Sequence, residues 1–274
     1  MTTVSGKAAA GLTVALFASV LISGCTALMP VERPAQGQAP VDDPRDRSQR
    51  VSTVVQDAPL PQQPYDRTGK KLPFVPQPNP YAAQTNAVPD EATAGFVVAS
   101  GLVKQGKLKA AKKQFESLTV RFPTLSGPWA MLGVIAEKEE KFDEAIGNYR
   151  KAISVNEKNV NAYLALGLVQ RKQGYFGDAQ ATYVEALEVW RDFPEAHLNL
   201  AILYDLYVNQ PEQAQKHYEA YHFLTGGRDT KVHKWLVEVK QRTGIERSFI
   251  DVPPKGVAEV AVKESGSASP GGDK

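Results

Sequence analysis

The sequence predicts an all-α protein built from repeated helical hairpins, and three observations lead to this fold class. A pattern of large and small residues in 126–159 returns in 160–193, after 34 residues. A fixed period of this length is typical of helical repeat arrays. Small residues also alternate with aromatic residues at helical spacing. Finally, twelve of the nineteen prolines lie between Pro30 and Pro89, so the chain divides into a proline-rich part and a helical part.

The period can be followed through four units, 92–125, 126–159, 160–193 and 194–228. A small residue of the first helix recurs at Ala99, Gly133, Gly167 and Ala201. An aromatic residue of the second helix recurs at Phe115, Tyr149, Tyr183 and Tyr218. Small residues let two helices approach closely, and large residues three, four and seven positions away fill the space between hairpins. Turns are expected at Gly106, Gly174 and Asn209.

This pattern resembles the tetratricopeptide repeat family over about half of the chain. The resemblance is strongest in 126–159 and 160–193, and the fourth unit carries one extra residue in its turn. It implies a right-handed superhelix of antiparallel helix pairs, with a concave groove lined by the first helix of each pair.

The repeats are expected to end in a capping helix over residues 229–244, because the last unit of a repeat array needs a polar outer face. Asp229 or Thr230 is a suitable N-cap, and Gly244 ends the helix. One apolar stripe is formed by Val232, Trp235, Leu236 and Val239. A partner-binding helix is the alternative. The tail 245–274 is predicted to be disordered.

Residues 1–24 are predicted to be a signal peptide. Lys7 precedes an apolar run from Ala8 to Ile22, which forms a helix of roughly 22 Å and is too short for the ~30 Å hydrocarbon core of a bilayer. A short apolar run that ends in small residues is typical of a secretory signal.

The motif Ile22-Ser23-Gly24-Cys25 resembles the lipobox of bacterial lipoproteins. The resemblance implies cleavage before Cys25 and a covalent lipid on that residue, and no other cofactor is expected. Because Thr26 follows rather than aspartate, it also implies sorting to the outer membrane, facing the periplasm. An uncleaved membrane anchor or a chance motif are the alternatives.

Residues 25–91 are predicted to be a lipidated cysteine followed by a disordered, proline-rich tether. The segment is rich in Pro, Gln, Asp and Arg and has few clustered hydrophobic residues. Such a segment buries too little apolar area to offset the entropy lost on ordering. Alternatively, the aromatic residues set among the prolines form a docking motif, Tyr65, Phe74 and Tyr81.

Nothing in the sequence favours catalysis. The net charge of +2 argues against a nucleic-acid binder. None of the four histidines stands at metal-ligand spacing from a cysteine or carboxylate, and His197 takes the slot that Trp129 and Tyr163 fill in other units. No phosphate loop or nucleophile motif is present. We therefore expect neither enzymatic activity, nor a metal, nor a small-molecule substrate.

The family geometry projects a mostly apolar groove with charges at its rim. The projected groove residues are Phe96, Ser100, Ala130, Val134, Leu164, Leu168, Arg171, Leu198, Ile202 and Asp205. Such a lining suits a hydrophobic or amphipathic peptide, although several of these residues could instead pack against the next helix. The lysine and asparagine clamp of some family members is not expected, because its lysine positions hold Phe96, Ala130, Leu164 and Leu198.

The expected function is therefore binding rather than turnover. The chain is predicted to be a membrane-anchored scaffold for protein partners in the cell envelope, and it resembles lipoproteins that serve pilus or secretin assembly or TonB-like systems. The alternative is a periplasmic chaperone-like adaptor that delivers clients to proteases or cell-wall hydrolases.

Overall fold

The predicted all-α repeat fold is confirmed in the computed structural model, which describes residues 57–84 and 88–254. Within these residues there are nine helices and no strand beyond an isolated bridge between Tyr65 and Lys71. The helices are α1 (Asp90–Lys104), α2 (Leu108–Arg121), α3 (Ser126–Lys138), α4 (Phe142–Val155), α5 (Val160–Lys172), α6 (Phe176–Val189), α7 (Pro194–Leu206), α8 (Pro211–Leu224) and α9 (Thr230–Thr243). The predicted signal peptide and Cys25 lie outside the described residues.

The helices fall into two compact units that divide between Asn159 and Val160. In its described part the first unit holds α1 to α4, preceded by residues from Asn79. The second unit holds α5 to α9 together with residues 57–78.

A close contact between a glycine and a tyrosine ring joins the two helices of a hairpin. In the first unit, a Cβ atom added to Gly133 on α3 would lie 2.5 Å from Cε1 of Tyr149 on α4. In the second unit, a Cβ atom added to Gly167 on α5 would lie 2.4 Å from the same atom of Tyr183 on α6. No larger residue fits these sites without displacement of the ring. The glycine therefore determines how closely the helices approach.

Short turns make each hairpin antiparallel. Gly106 and Gly174 adopt φ values of 73° and 80°, and Asn209 adopts a φ of 52°. These residues take the left-handed conformation most readily, and they lie where the sequence places turns. The second hairpin uses Glu140 instead, with a φ of 59°, a conformation that costs a residue with a Cβ atom more.

In the first unit the core lies between α1, α2 and α3. Phe96 and Phe115 meet edge to face, with ring centroids 5.3 Å apart, an arrangement favoured for aromatic pairs. Leu118, Leu132 and Ile135 complete the buried cluster.

In the second unit α9 covers the residues for which the sequence predicts a capping helix. The side chain of Asp229 accepts hydrogen bonds from the backbone N–H groups of Lys231 and Val232, at 3.0 and 3.2 Å. These bonds satisfy amides that a helix start leaves without partners. Gly244 ends the helix with a φ of 66°. The residues buried on α9 are Val232, Leu236 and Val239.

Part of the predicted disordered tether is ordered, and so is the start of the predicted disordered tail. Residues 57–78, here called the strap, pack within the second unit. The backbone N–H of Gln63 donates to the carbonyl of Ile250 at 3.0 Å. Asp251 accepts from the Tyr65 hydroxyl and pairs with Lys71. The expectation of disorder is wrong for these segments. Each segment provides hydrogen-bond partners for polar groups of the other, which would otherwise be left to solvent.

The aromatic residues of the tether contact the helices of this same chain. Phe74 meets Phe223 of α8 edge to face, with ring centroids 4.6 Å apart. Beyond it, the indole N–H of Trp190 donates to the carbonyl of Gln77 at 2.8 Å. In the first unit, the Tyr81 hydroxyl lies 3.4 Å from Ser126 Oγ. This segment is thus ordered by contacts with residues far away in the sequence, and it needs no helical pattern of its own.

Replacing Gly133 by alanine should destabilise the first unit although alanine is the better helix former. The added methyl group must displace the Tyr149 ring, and overpacking of this kind costs about 1–3 kcal/mol of unfolding free energy. Gly147 is the matched control, because it lies in the middle of α4 with no atom within 4 Å of an added Cβ. Gly147→Ala should stabilise by ~0.5–1 kcal/mol. Urea unfolding measures both, and equal effects of the two substitutions would contradict the close contact.

Removing the Asp251 carboxylate should loosen the strap without unfolding the helices. Asp251→Ala takes away the acceptor of Tyr65 and the partner of Lys71. Hydrogen exchange in residues 57–78 should become faster by about tenfold, since a locally opened segment exchanges independently of the core. Exchange in α7 should stay unchanged. Glu246→Ala, at an exposed residue of the same tail, serves as the control, and unchanged strap exchange in Asp251→Ala would count against the anchoring.

Candidate functional site

Five of the ten projected groove residues lie at partly accessible positions. On α3 of the first unit these are Ala130 and Val134, both half-buried. On α5 of the second unit they are Leu164, Leu168 and Arg171, also half-buried. The last three follow the spacing i, i+4 and i+7, which places them on one face of the helix. We call these three residues the α5 face.

The other five are buried, so the expectation that they line an open groove is not met. Phe96 belongs to the core of the first unit through its contact with Phe115, and Ser100 is 9% exposed. In the second unit Leu198, Ile202 and Asp205 are 5%, 3% and 7% exposed. The family projection places residues on a helix face but does not count the neighbouring elements that cover that face.

Asp205 is used internally rather than at a groove rim. Its carboxylate accepts from the Tyr218 hydroxyl at 3.3 Å and pairs with Arg242 of α9. In the first unit, the Glu137 carboxylate likewise accepts from the Tyr149 hydroxyl. The second-helix tyrosine of each of these hairpins donates to a carboxylate near the end of the first helix.

The third hairpin breaks this rule. Arg171 replaces the carboxylate, 34 residues after Glu137 and 34 before Asp205. The hydroxyl of Tyr183 and the Nη1 atom of Arg171 are both buried, and neither has a hydrogen-bond partner among the described residues. Burial raises the pKa of Tyr183 far above its ordinary value, while the nearby Arg171 charge opposes that rise. Sequence reasoning placed Arg171 in the groove but missed Tyr183, although the period aligns both positions with their counterparts.

The second unit also contains a buried histidine pair, in which Nδ1 of His197 and Nδ1 of His217 lie 2.9 Å apart. Nε2 of His197 lies 2.8 Å from the carbonyl oxygen of Arg191 and must donate to it. Nδ1 of His197 is therefore the acceptor, and His217 supplies the proton. Burial lowers the pKa of His197 to about 4 and the pKa of His217 well below its ordinary value. The two histidines are uncharged and fill space in the interior, as the position of His197 in the repeat pattern predicted.

Neither a metal site nor a membrane-spanning helix is found among the described residues. Within 57–84 and 88–254, no group of three or more His, Cys, Asp or Glu side chains could hold a metal ion. Across these same ranges, no helix is long and apolar enough to cross a membrane.

Comparison with known proteins identifies the repeats. Residues 138–174 match a family model described as a TPR repeat, and residues 164–221 match one described as a tetratricopeptide repeat. The matched residues run from the end of α3 into α8. This part of the chain therefore consists of tetratricopeptide repeats.

One of the similar solved structures supports the same fold. The structure reported for the functional characterisation of pilF from Pseudomonas aeruginosa is 21% identical, with a TM-score of 0.50, over 57% of this chain and 70% of that chain. MamA from Desulfovibrio magneticus RS-1 is 16% identical, with a TM-score of 0.48, over 67% of this chain and 100% of that chain. No curated protein sequence matches the chain. At 21% identity, the pilF structure supports the fold alone.

The fold and the site together define a class of protein. Tetratricopeptide repeats present helix faces to other proteins, and this fold is typically a non-catalytic interaction scaffold. The chain is thus a repeat protein of a kind that binds protein partners, and the α5 face is a partly accessible surface that joins two leucines to Arg171.

The histidine pair should make the second unit sensitive to acid. Because the folded pKa of His197 lies below its unfolded value, unfolding takes up a proton between pH 6.5 and about 4. Stability is complete above pH 6.5 and should fall by on the order of 3 kcal/mol across that window. Urea unfolding as a function of pH measures the slope. His233→Gln should change the slope only slightly, through its neighbour His222. His197→Tyr with His217→Leu should remove most of the slope, and an unaltered slope in the double variant would contradict this origin.

Proposed function

We propose that the protein is a lipid-anchored scaffold that faces the periplasm and binds protein partners of a cell-envelope complex. The observation that carries the proposal is the tetratricopeptide array with its partly accessible α5 face, in a chain that starts with a lipoprotein-like signal. An apolar helix face with a charge at one end suits an amphipathic peptide segment. Among envelope complexes, type IV pilus or secretin assembly and TonB-like systems fit best, by resemblance to repeat lipoproteins of those systems.

Anchoring would give the scaffold its advantage. Several acyl chains on Cys25 hold a protein at a membrane effectively permanently. Thirty-one residues lie between Cys25 and Asp57, where the strap begins, and they reach at most about 110 Å. The repeats are then confined to a layer of this thickness beside the membrane, and this confinement raises their effective concentration for partners in the same membrane. No turnover is required for this role.

A chaperone-like adaptor is the second candidate. The half-buried leucines of the α5 face could hold many apolar client segments, which would then pass to a protease or a cell-wall hydrolase. Crosslinking in cells separates the two proposals. One stoichiometric component of an envelope machine favours the scaffold, and a broad set of unfolded clients favours the adaptor.

The anchor is tested by Cys25→Ala. The wild-type chain should incorporate radiolabelled fatty acid and fractionate with the outer membrane, while Cys25→Ala should lose the label and leave that fraction. Ser23→Thr, which keeps a small residue before the cysteine, is the control and should retain both. Unchanged outer-membrane fractionation of Cys25→Ala would refute the lipid anchor.

The binding surface is tested by Leu168→Glu. The charge should disrupt apolar contacts of the α5 face and reduce capture of the crosslinked partner by at least tenfold, while circular dichroism shows helicity largely unchanged. Val237→Glu makes the same kind of change at an exposed residue of α9 and should capture normally. If Leu168→Glu captures as well as wild type, the α5 face does not bind the partner.

A further inference from the structure

Each of the four hairpins has the same arrangement at the end of the second-helix aromatic ring. We call the space between the end of this ring and the aligned residue of the first helix the slot, and the aligned residues are Val103, Glu137, Arg171 and Asp205. In the first hairpin this slot is apolar, since Val103 and Phe115 belong to one core cluster. In the second and fourth hairpins a tyrosine hydroxyl enters the slot, and a carboxylate of this chain accepts its hydrogen bond. Each of these three slots is chemically complete.

The slot of the third hairpin contains donors but lacks an acceptor. Tyr183 is 0% exposed, and its ring is held against Gly167. Its hydroxyl and the Nη1 atom of Arg171 have no hydrogen-bond partner in the described chain. Buried polar groups are almost always paired, and an unpaired one destabilises the fold. The arrangement therefore lacks one oxygen acceptor.

The neighbouring carboxylate does not supply this acceptor. Asp205 is engaged by Tyr218 and by Arg242 of α9. Nor does any carboxylate in the described ranges pair with Arg171 within 4 Å. Arg171 instead lies over the Tyr207 ring, with its Cζ atom 5.9 Å from the ring centroid. Arg171 as a whole residue is half-buried, whereas its Nη1 atom is buried.

We propose that a carboxylate of a bound protein segment completes this slot by accepting from Arg171 and Tyr183. A carboxylate is the acceptor used in the second and fourth hairpins, and it matches the fork of a guanidinium. Leu164 and Leu168 lie on the same face of α5, so the segment carries apolar side chains beside its acidic group. The inference rests on the proposed function only in that its ligand is a protein segment.

This site differs from the lysine and asparagine clamp of some family members. That clamp would use the position of Leu164, whereas Arg171 stands seven residues further along α5. The acceptor here is defined by a buried tyrosine and not by a cluster of surface lysines. It would therefore discriminate between a carboxylate and its neutral amide through two donors at once.

The test uses acetate as the probe and acetamide, its neutral isostere, as the control. The full chain is labelled with ¹⁵N, held in detergent, and observed through arginine side-chain Nε–H resonances. Arg171→Lys identifies the Arg171 signal. Acetate should shift this signal saturably, with half-saturation on the order of 10 mM, and acetamide should not. Inorganic phosphate is titrated in parallel, and it should bind no more tightly than acetate.

A matched pair of tyrosine variants locates the binding. Tyr183→Phe removes one donor and should weaken acetate binding about threefold to tenfold. Tyr149→Phe makes the same change in a slot that is already complete and should leave binding unchanged. The proposal is overturned if acetate and acetamide act alike, if phosphate binds at least tenfold more tightly, or if the two tyrosine variants behave identically.

The outcome is independent of the scaffold experiment. Capture of a partner that Leu168→Glu abolishes, together with no saturable acetate shift, would remove the carboxylate site and keep the scaffold. Saturable acetate binding together with capture that Leu168→Glu does not affect would keep the site and remove the α5 apolar contact.

Discussion

The contact between a glycine of the first helix and a tyrosine ring of the second is the constraint on which the second and third hairpins depend. At Gly133 and Gly167 the ring lies too close to leave room for a Cβ atom. Close packing of this kind leaves little room for alternatives, since interiors are as dense as organic crystals. Because the ring is fixed, its hydroxyl is fixed as well. The polar slots at the ends of Tyr149 and Tyr183 follow from this packing.

The repeated slot connects the architecture to binding. Once a hydroxyl is buried at a constant place, each hairpin must supply an acceptor or leave a donor unpaired. Glu137 and Asp205 supply the acceptor within the chain, and Arg171 does not. A departure from an otherwise regular pattern thus coincides with the partly accessible apolar stretch formed by Leu164 and Leu168. Regular hairpins stabilise the array, and the irregular one has unused binding capacity.

The second unit also shows how a proline-rich segment becomes ordered without helical periodicity. The strap is held at separate points by Ile250, Asp251, Phe223 and Trp190. Each point is a contact between residues far apart in the sequence, so the ordering entropy is offset by tertiary interactions.

The sequence by itself determined the all-α class, the period of the hairpins, the turns at Gly106 and Gly174 and the last helix, which begins at Thr230 with Asp229 as its N-cap. These features depend on local periodicity, on residues that tolerate a positive φ and on capping side chains, all of which are read from short stretches. The tertiary structure alone decided which projected groove residues are accessible, that Asp205 is engaged by Arg242, and that residues 57–78 and 245–251 are ordered. Burial and long-range pairing depend on residues brought together from distant positions, and no local pattern records which of them will meet.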